Sequence, residues 1–189
     1  NVATTSLEAE YLTRNLSGTR LDTLVDRLLM AKELQRWHPK ISINHLAASC
    51  MNQQPIPEET MNPAWYPCPL LDEDICLYYK VRPFACRSMA SHVGCKGRNA
   101  AQISDELVAI NELFLQVIEH LDANGITGNL IDVVLWKTRA PVSREDVRFS
   151  DPAEPPFPFV ANRTIGQLIV DPIYQDKLSS IWQKVTSII

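Results

Sequence analysis

Apolar residues recur at helical spacing along most of the chain. The clearest example follows Gly18, where apolar side chains three and four residues apart form one face and charged residues occupy the rest. That face consists of Leu21, Leu24, Val25, Leu28 and Leu29. Because the residue before a proline avoids helical backbone angles, this amphipathic helix is expected to end at His38-Pro39.

Capping residues predict the starts of three more helices, at Thr5, Ser104 and Asp171. Glu8 has the spacing that completes a capping box with Thr5. The helix after Ser104 is the longest of the three and is expected to end before Gly125. Each of these segments carries apolar residues at helical spacing, so each is expected to bury one face in a core.

Two shorter segments complete the predicted helices. Residues 42–50 are expected to form a short helix, and the apolar run at 130–137 is either a helix or a buried strand, with a helix favoured. Prolines are frequent in residues 52–70 and 151–158, which predicts irregular connections there. The pattern indicates a mainly α protein.

The predicted architecture is a single helical domain over residues 1–189, with long irregular loops and a cysteine-rich middle segment at 66–95. A chain of 189 residues with 46% hydrophobic content is long enough to bury a core of its own. Its formal net charge of −4 gives no cationic field for a phosphate backbone, so nucleic acid is not an expected partner. No apolar stretch approaches the roughly 18 residues of a membrane span, so a soluble, cytoplasmic protein is expected.

Four of the five cysteines lie within the middle segment, at Cys68, Cys76, Cys86 and Cys95. They could be metal ligands, halves of disulfides or small buried hydrophobes, and the odd total leaves at least one thiol unpaired. Their spacing is not the C-x-x-C of a zinc knuckle. In a cytosolic chain large enough to fold without staples, clustered cysteines favour metal or redox chemistry over disulfides. Cys50 lies apart and is expected to be a buried hydrophobe.

Two arginines surround the third of these cysteines. Arg82 and Arg87 bracket Cys86 in the sequence, and a nearby guanidinium lowers the pKa of a thiol and favours the metal-binding thiolate. A tetrahedral zinc site or an iron-sulfur cluster needs about four such ligands, which the segment contains. Arg82 is also expected to form a buried ion pair that fixes the loop. Asp72-Glu73-Asp74 is expected to be a solvated turn rather than a cation site.

The middle segment resembles the YkgJ-like cysteine-cluster proteins, a family described as zinc- or iron-chelating. Residues 68–71 read C-P-L-L, and residues 76–87 read C-x-x-Y-x-x-R-P-x-x-C-R. Residues 4–12, TTSLEAEYL, are similar to the T-x-x-E-A helix of the same family. The resemblance implies that Tyr79, Arg82 and Arg87 support a metal centre held by the cysteines.

The sequence departs from that family at its beginning. Family members have an opening run of the C-x-x-C-x-x-x-C-C kind before the T-x-x-E-A helix, and no such run stands in this sequence. Either that run lies upstream of Asn1 or this member has lost it. If it is lost, Cys50, Cys95 or His92 would have to complete the ligand shell.

Three functions follow from these observations. The preferred one is a metal-binding protein that holds zinc or an iron-sulfur centre through Cys68, Cys76, Cys86 and a fourth ligand, taken to be Cys95. The second is an iron-sulfur enzyme resembling flagellin lysine methylases, whose similar motif is present without a recognisable methyl-donor site. The third is a helical interaction domain without metal. No catalytic residue is assigned.

Overall fold

The computed structural model describes residues 2–59, 66–91, 102–138, 158–166 and 168–187. Seven α-helices and two 3₁₀ turns make 53% of this part of the chain helical, against 9% in strands, which agrees with the predicted mainly α class. The helices are α1 (Ser6–Arg14), α2 (Thr19–Ala31), α3 (Ile43–Met51), α4 (Phe84–Ser88), α5 (Asp105–Leu121), α6 (Leu130–Thr138) and α7 (Gln175–Thr186). The strands are β1 (Ala3–Thr5), β2 (Leu71–Asp72), β3 (Ile75–Cys76), β4 (Ile126–Asn129) and β5 (Val160–Ala161).

Two of the predicted caps form as expected. Thr5 accepts a hydrogen bond from the backbone of Glu8 while the Glu8 carboxylate accepts one from the Thr5 backbone, which is the reciprocal pattern of a capping box. Ser104 caps α5 through the Leu107 N–H. Asp171 caps a single 3₁₀ turn at Pro172–Tyr174, and α7 continues from it. The segment at 130–137 is helical, as favoured.

A small antiparallel sheet was not anticipated. Its order is β1-β4-β5, with Ala3 opposite Asn129 and Thr127 opposite Val160. Strands of two to four residues show no measurable alternation in sequence, and their partners lie more than 30 residues away. Gly128 is required in this sheet, because an added Cβ would lie 2.7 Å from Cδ1 of Phe159.

The amphipathic helix α2 ends earlier than predicted, at Ala31 rather than at His38-Pro39. Arg36 donates from Nε to Asp132 of α6 at 2.8 Å and makes a second contact through Nη2. His38 Nε2 lies 3.0 Å from the same carboxylate. These buried contacts draw the chain away from the α2 axis, so tertiary pairing overrides the local signal.

The buried apolar residues form two clusters. The first unites α1, α2, β4 and α6, with Leu12, Leu24, Leu28 and Val134 fully buried at its centre. The second lies between α5 and α7, around Leu113 and Leu178. The expectation that the chain is a single domain stays a prediction.

A buried carboxylate joins the second cluster to α3. Glu119 is 1% exposed and accepts hydrogen bonds from the Ser42 hydroxyl at 2.7 Å and the Asn44 N–H at 2.9 Å. It also accepts from the Arg163 N–H at 2.7 Å. Burial raises the pKa of Glu119, and the hydrogen bonds from Asn44, Ser42 and Arg163 only partly offset that effect. Glu119 therefore holds three separate segments together.

Within the described residues, no helix is long and apolar enough to cross a membrane.

Replacing Glu119 with alanine should lower the free energy of unfolding by about 3 kcal/mol, because three buried donors lose their acceptor. Urea unfolding monitored by circular dichroism measures this change. Glu112→Ala is the matched control, since that glutamate is exposed on the same helix. Equal effects of the two substitutions would contradict the assigned role.

The raised pKa of Glu119 also predicts a pH dependence. The folded state binds this proton more tightly than the unfolded state, in which the pKa of Glu119 has its ordinary value of 4.5. The stabilisation that comes from binding this proton is therefore complete below pH 4.5, and it should be lost as the pH rises through the pKa of the folded state. The stability of the wild type relative to Glu119→Gln should therefore fall above pH 4.5. A difference that grows with pH would show that the pKa is lowered instead.

Candidate functional site

The first part of the cysteine segment is a tight hairpin. Strands β2 and β3 pair with Leu71 opposite Cys76, and the two residues between them turn the chain. Glu73 and Asp74 have φ angles of 45° and 64°, the left-handed values that a two-residue turn of this kind requires at both positions. The predicted turn is therefore present at Glu73 and Asp74, whereas Asp72 is the last residue of β2 and pairs with Arg27. Cys68 lies just before the hairpin, and its carbonyl accepts from the Leu71 N–H at 3.0 Å.

Two arginines of α2 fasten the hairpin to that helix. Arg27 Nη1 donates to the Leu71 carbonyl at 2.8 Å, and its Nη2 pairs with Asp72 at 3.1 Å. Arg20 donates to the Leu77 carbonyl at 3.3 Å. Two of these bonds go to main-chain oxygens, one on β2 and one just after β3, so they hold both sides of the hairpin through its backbone.

The end of the hairpin is anchored by a buried tyrosine. Tyr78 is 2% exposed and its hydroxyl donates to the Arg20 carbonyl at 3.3 Å. Tyr79, which the family resemblance implies supports the metal centre, is 58% exposed. Burial raises the pKa of Tyr78, which keeps it a neutral donor.

The third cysteine is carried by the short helix α4. A 3₁₀ turn at Tyr79–Val81 leads to the buried Pro83, which precedes the first residue of the helix. Phe84 packs against Phe114 of α5 with ring centroids 5.6 Å apart. Its N–H donates to Oε1 of Glu8 at 2.7 Å. The capping-box glutamate of α1 thus also holds the start of the helix that carries Cys86.

The four described cysteines are free thiols: Cys50 and Cys68 are exposed, and Cys76 and Cys86 are partly buried. The pKa of Cys86 is raised from 9.0 to about 11, first by burial and then by the charges of Cys68 and Cys76. Arg82 lowers it by a smaller amount. Cys86 therefore lies within electrostatic range of both Cys68 and Cys76.

The predicted effect of Arg82 on Cys86 is confirmed in direction, since its guanidinium lowers the pKa of the thiol, but it does not decide the net shift. Burial and the two neighbouring sulfurs outweigh the guanidinium of Arg82, so the pKa of the metal-free thiol rises rather than falls. Arg87 does not counter this rise, because its side chain turns to the backbone and donates to the carbonyls of Lys80 and Arg82 at 2.7 and 3.1 Å.

Arg82 itself makes a different contact from the one expected. The buried ion pair is not found among the described residues. Its guanidinium carbon lies 3.7 Å from the centroid of the Tyr79 ring, a cation–π contact. Its Nε atom is buried and has no acceptor in the described part of the chain. A donor in this state is costly unless another group accepts from it.

The thiols are near one another but do not form a finished metal site. Among the described residues, no group of three His, Cys, Asp or Glu side chains has the geometry to hold a metal ion. Cys95 and His92, the candidates for a fourth ligand, lie outside the described residues. Cys50 lies on α3, bordering a cleft with α7, and is exposed rather than buried as expected.

Sequence reasoning missed the residues that support the segment. Arg20 and Arg27 lie on the polar face of an amphipathic helix, where a charged residue is ordinarily solvated. Glu8 was assigned to its capping box, and nothing in the spacing of residues 5 and 8 signals a second partner at residue 84. The only available signal was the family pattern, in which the T-x-x-E-A helix and the cysteine motif occur together.

Compared with known proteins, the chain matches no family model, no curated protein and no solved structure. Its function is therefore inferred from the residues of the site.

Cys86 should be the slowest of the described thiols to react with iodoacetamide in metal-free protein. At pH 8 a thiol with a pKa of about 11 is a thiolate in only about one molecule in a thousand, and only the thiolate attacks. Its alkylation rate should still be rising at pH 10, and exposed Cys50 serves as the internal reference. Mass spectrometry of the labelled peptides reads both rates. A Cys86 rate that levels off below pH 9 would contradict the raised pKa.

Proposed function

We propose that this protein binds a metal through thiolates of the cysteine segment, with Cys68, Cys76 and Cys86 as three ligands and Cys95 as the fourth. The bound group is zinc or an iron-sulfur cluster, since soft thiolate ligands select these centres. The motif resemblance to the YkgJ-like proteins supports the same assignment. Free thiols are kept in reducing compartments, which supports a cytoplasmic location.

The observation that carries this proposal is that Cys86 is partly buried within electrostatic range of both Cys68 and Cys76. Burial and these two sulfur groups are the three largest causes that raise the pKa of Cys86. This is unfavourable for free thiolates, and a bound cation reverses it, because the cation's charge stabilises every thiolate around it. None of the three is used in a disulfide.

The surroundings of the thiols fit a metal–thiolate centre. Arg82 has a buried Nε–H without an acceptor among the described residues. A thiolate sulfur is a better acceptor for this group than the sulfur of a neutral thiol. The guanidinium also offsets part of the negative charge that several thiolates bring. The hairpin and α4 are each fastened through backbone groups, which leaves the cysteine side chains available.

The proposal includes a movement of the ligands. Because no three described donors already surround one point, the sulfur atoms of the hairpin and of α4 have to come closer when the metal binds. Metal binding at thiolate sites of this kind contributes directly to folding free energy. Metal removal is therefore expected to loosen the cysteine segment more than the apolar clusters.

Protein purified without oxygen should contain one metal centre per chain, and Cys86→Ser should lose it. Loss of a ligand should weaken zinc binding more than about 100-fold, since even changes outside the ligand shell cost 10- to 100-fold. Elemental analysis and competition with a chromogenic chelator measure content and affinity. Cys50→Ser is the matched control and should retain the metal, because Cys50 lies on α3 away from the segment.

The same experiment separates the alternatives. A brown protein whose colour is lost on acidification identifies an iron-sulfur cluster, and a colourless one with stoichiometric zinc identifies a zinc site. Metal-free wild-type protein that takes up neither, or equal metal content in the Cys86→Ser and Cys50→Ser variants, would refute the proposed function.

A further inference from the structure

We infer that Glu8 is a positioning residue for the proposed metal centre: it links the start of α1 to the start of α4 and so fixes where Cys86 lies. This inference rests on the proposed function, and it concerns a residue outside the cysteine segment. Glu8 is not a ligand. It acts on the ligand through the backbone of the helix that carries it.

The Glu8 carboxylate divides its two oxygens between two elements. Oε2 accepts from the Thr5 N–H and from the Thr5 hydroxyl, both at 3.0 Å, and so belongs to the capping box of α1. Oε1 accepts from the Phe84 N–H at 2.7 Å. One side chain therefore connects groups that are 76 residues apart in the chain.

The helix α4 depends on such outside contacts. It has five residues, Phe84–Ser88, and a helix this short is not stable by itself. Its first N–H groups have no partner within the helix, and the residue at its N-cap, Pro83, has no side-chain group that could accept from them. Glu8 satisfies one of those groups, and the packing of Phe84 against Phe114 supplies the other anchor. Cys86 lies two residues beyond this attachment point.

The charge of Glu8 and its hydrogen bonds act on the site in opposite directions. Its negative charge raises the pKa of Cys86, although it is the smallest of the causes. If charge were what mattered, removing Glu8 would favour the thiolate and tighten metal binding. If position matters, removing it frees α4 and weakens binding. The two roles therefore predict effects of opposite sign.

The test uses the full chain and zinc as the probe. Glu8→Ala should weaken zinc binding 10- to 100-fold in chelator competition, as expected for loss of a group that orients a ligand. Thr5→Ala is the matched control: it removes the capping hydroxyl and so one donor to Oε2, but it keeps the Thr5 N–H that also holds Oε2 and the Oε1 atom that accepts from Phe84. Glu8→Gln retains one acceptor at the same reach and should bind zinc more tightly than Glu8→Ala.

A metal-independent measurement keeps the inference testable if the alanine variant folds poorly. In metal-free protein, the Phe84 amide should exchange its hydrogen faster in Glu8→Ala than in Thr5→Ala, and Glu8→Gln should lie between Glu8→Ala and the wild type. Unchanged exchange at Phe84, tighter zinc binding by Glu8→Ala, or equal affinities of the Ala variants at positions 5 and 8 would each overturn the inference. A wild-type protein that binds no zinc would instead refute the proposed zinc site itself, whatever the variants do.

Discussion

The structure depends on buried or partly buried carboxylates that accept hydrogen bonds from several segments at once. Its strands have two to four residues and one helix has five, so these elements cannot satisfy their own backbone groups. Glu8 joins α1 to α4, and Glu119 joins α3 to α5 and to Arg163. Asp122 accepts from the Leu7 N–H at 2.9 Å and from the Asn162 amide at 3.0 Å, which connects α1 to the chain after β5.

The same constraint explains how the cysteine segment can be held without a disulfide. The hairpin is attached to α2 through carbonyls that Arg20 and Arg27 contact, and α4 is attached to α1 through the Phe84 N–H. The cysteine side chains take no part in these attachments. Cys86 is thereby kept within electrostatic range of the other two described cysteines of the segment. A region that concentrates thiols while leaving them unpaired is suited to a cation, which is the physical basis of the proposed function.

The sequence was sufficient for features that depend on neighbouring residues. The capping box at Thr5, the Ser104 cap and the turn at Glu73-Asp74 are all local, and all three are present. The apolar run at 130–137 was predicted to be a helix or a buried strand, with a helix favoured, and it forms α6. Because such signals act over three or four residues, a single sequence contains all the information they need.

The sequence was insufficient where distant segments decide the outcome. The early end of α2 at Ala31 follows from the pairing of Arg36 with Asp132, and the sheet follows from contacts such as Ala3 with Asn129. For the site, the clustering of cysteines was visible in the sequence, but the net effect of burial and neighbouring charges on the pKa of Cys86 was not. Its pKa depends on how deeply it is buried and on which sulfurs lie beside it, and neither can be read from the positions of Arg82 and Arg87 in the chain.

The most direct test of the central claim is X-ray absorption at the zinc edge of wild-type protein loaded with one equivalent of zinc. The account predicts a shell of three or four sulfur atoms at about 2.3 Å, as for zinc held by thiolates. A shell of nitrogen and oxygen atoms alone, at about 2.0 Å, would contradict it, because it would show that the three thiols do not meet at a shared metal.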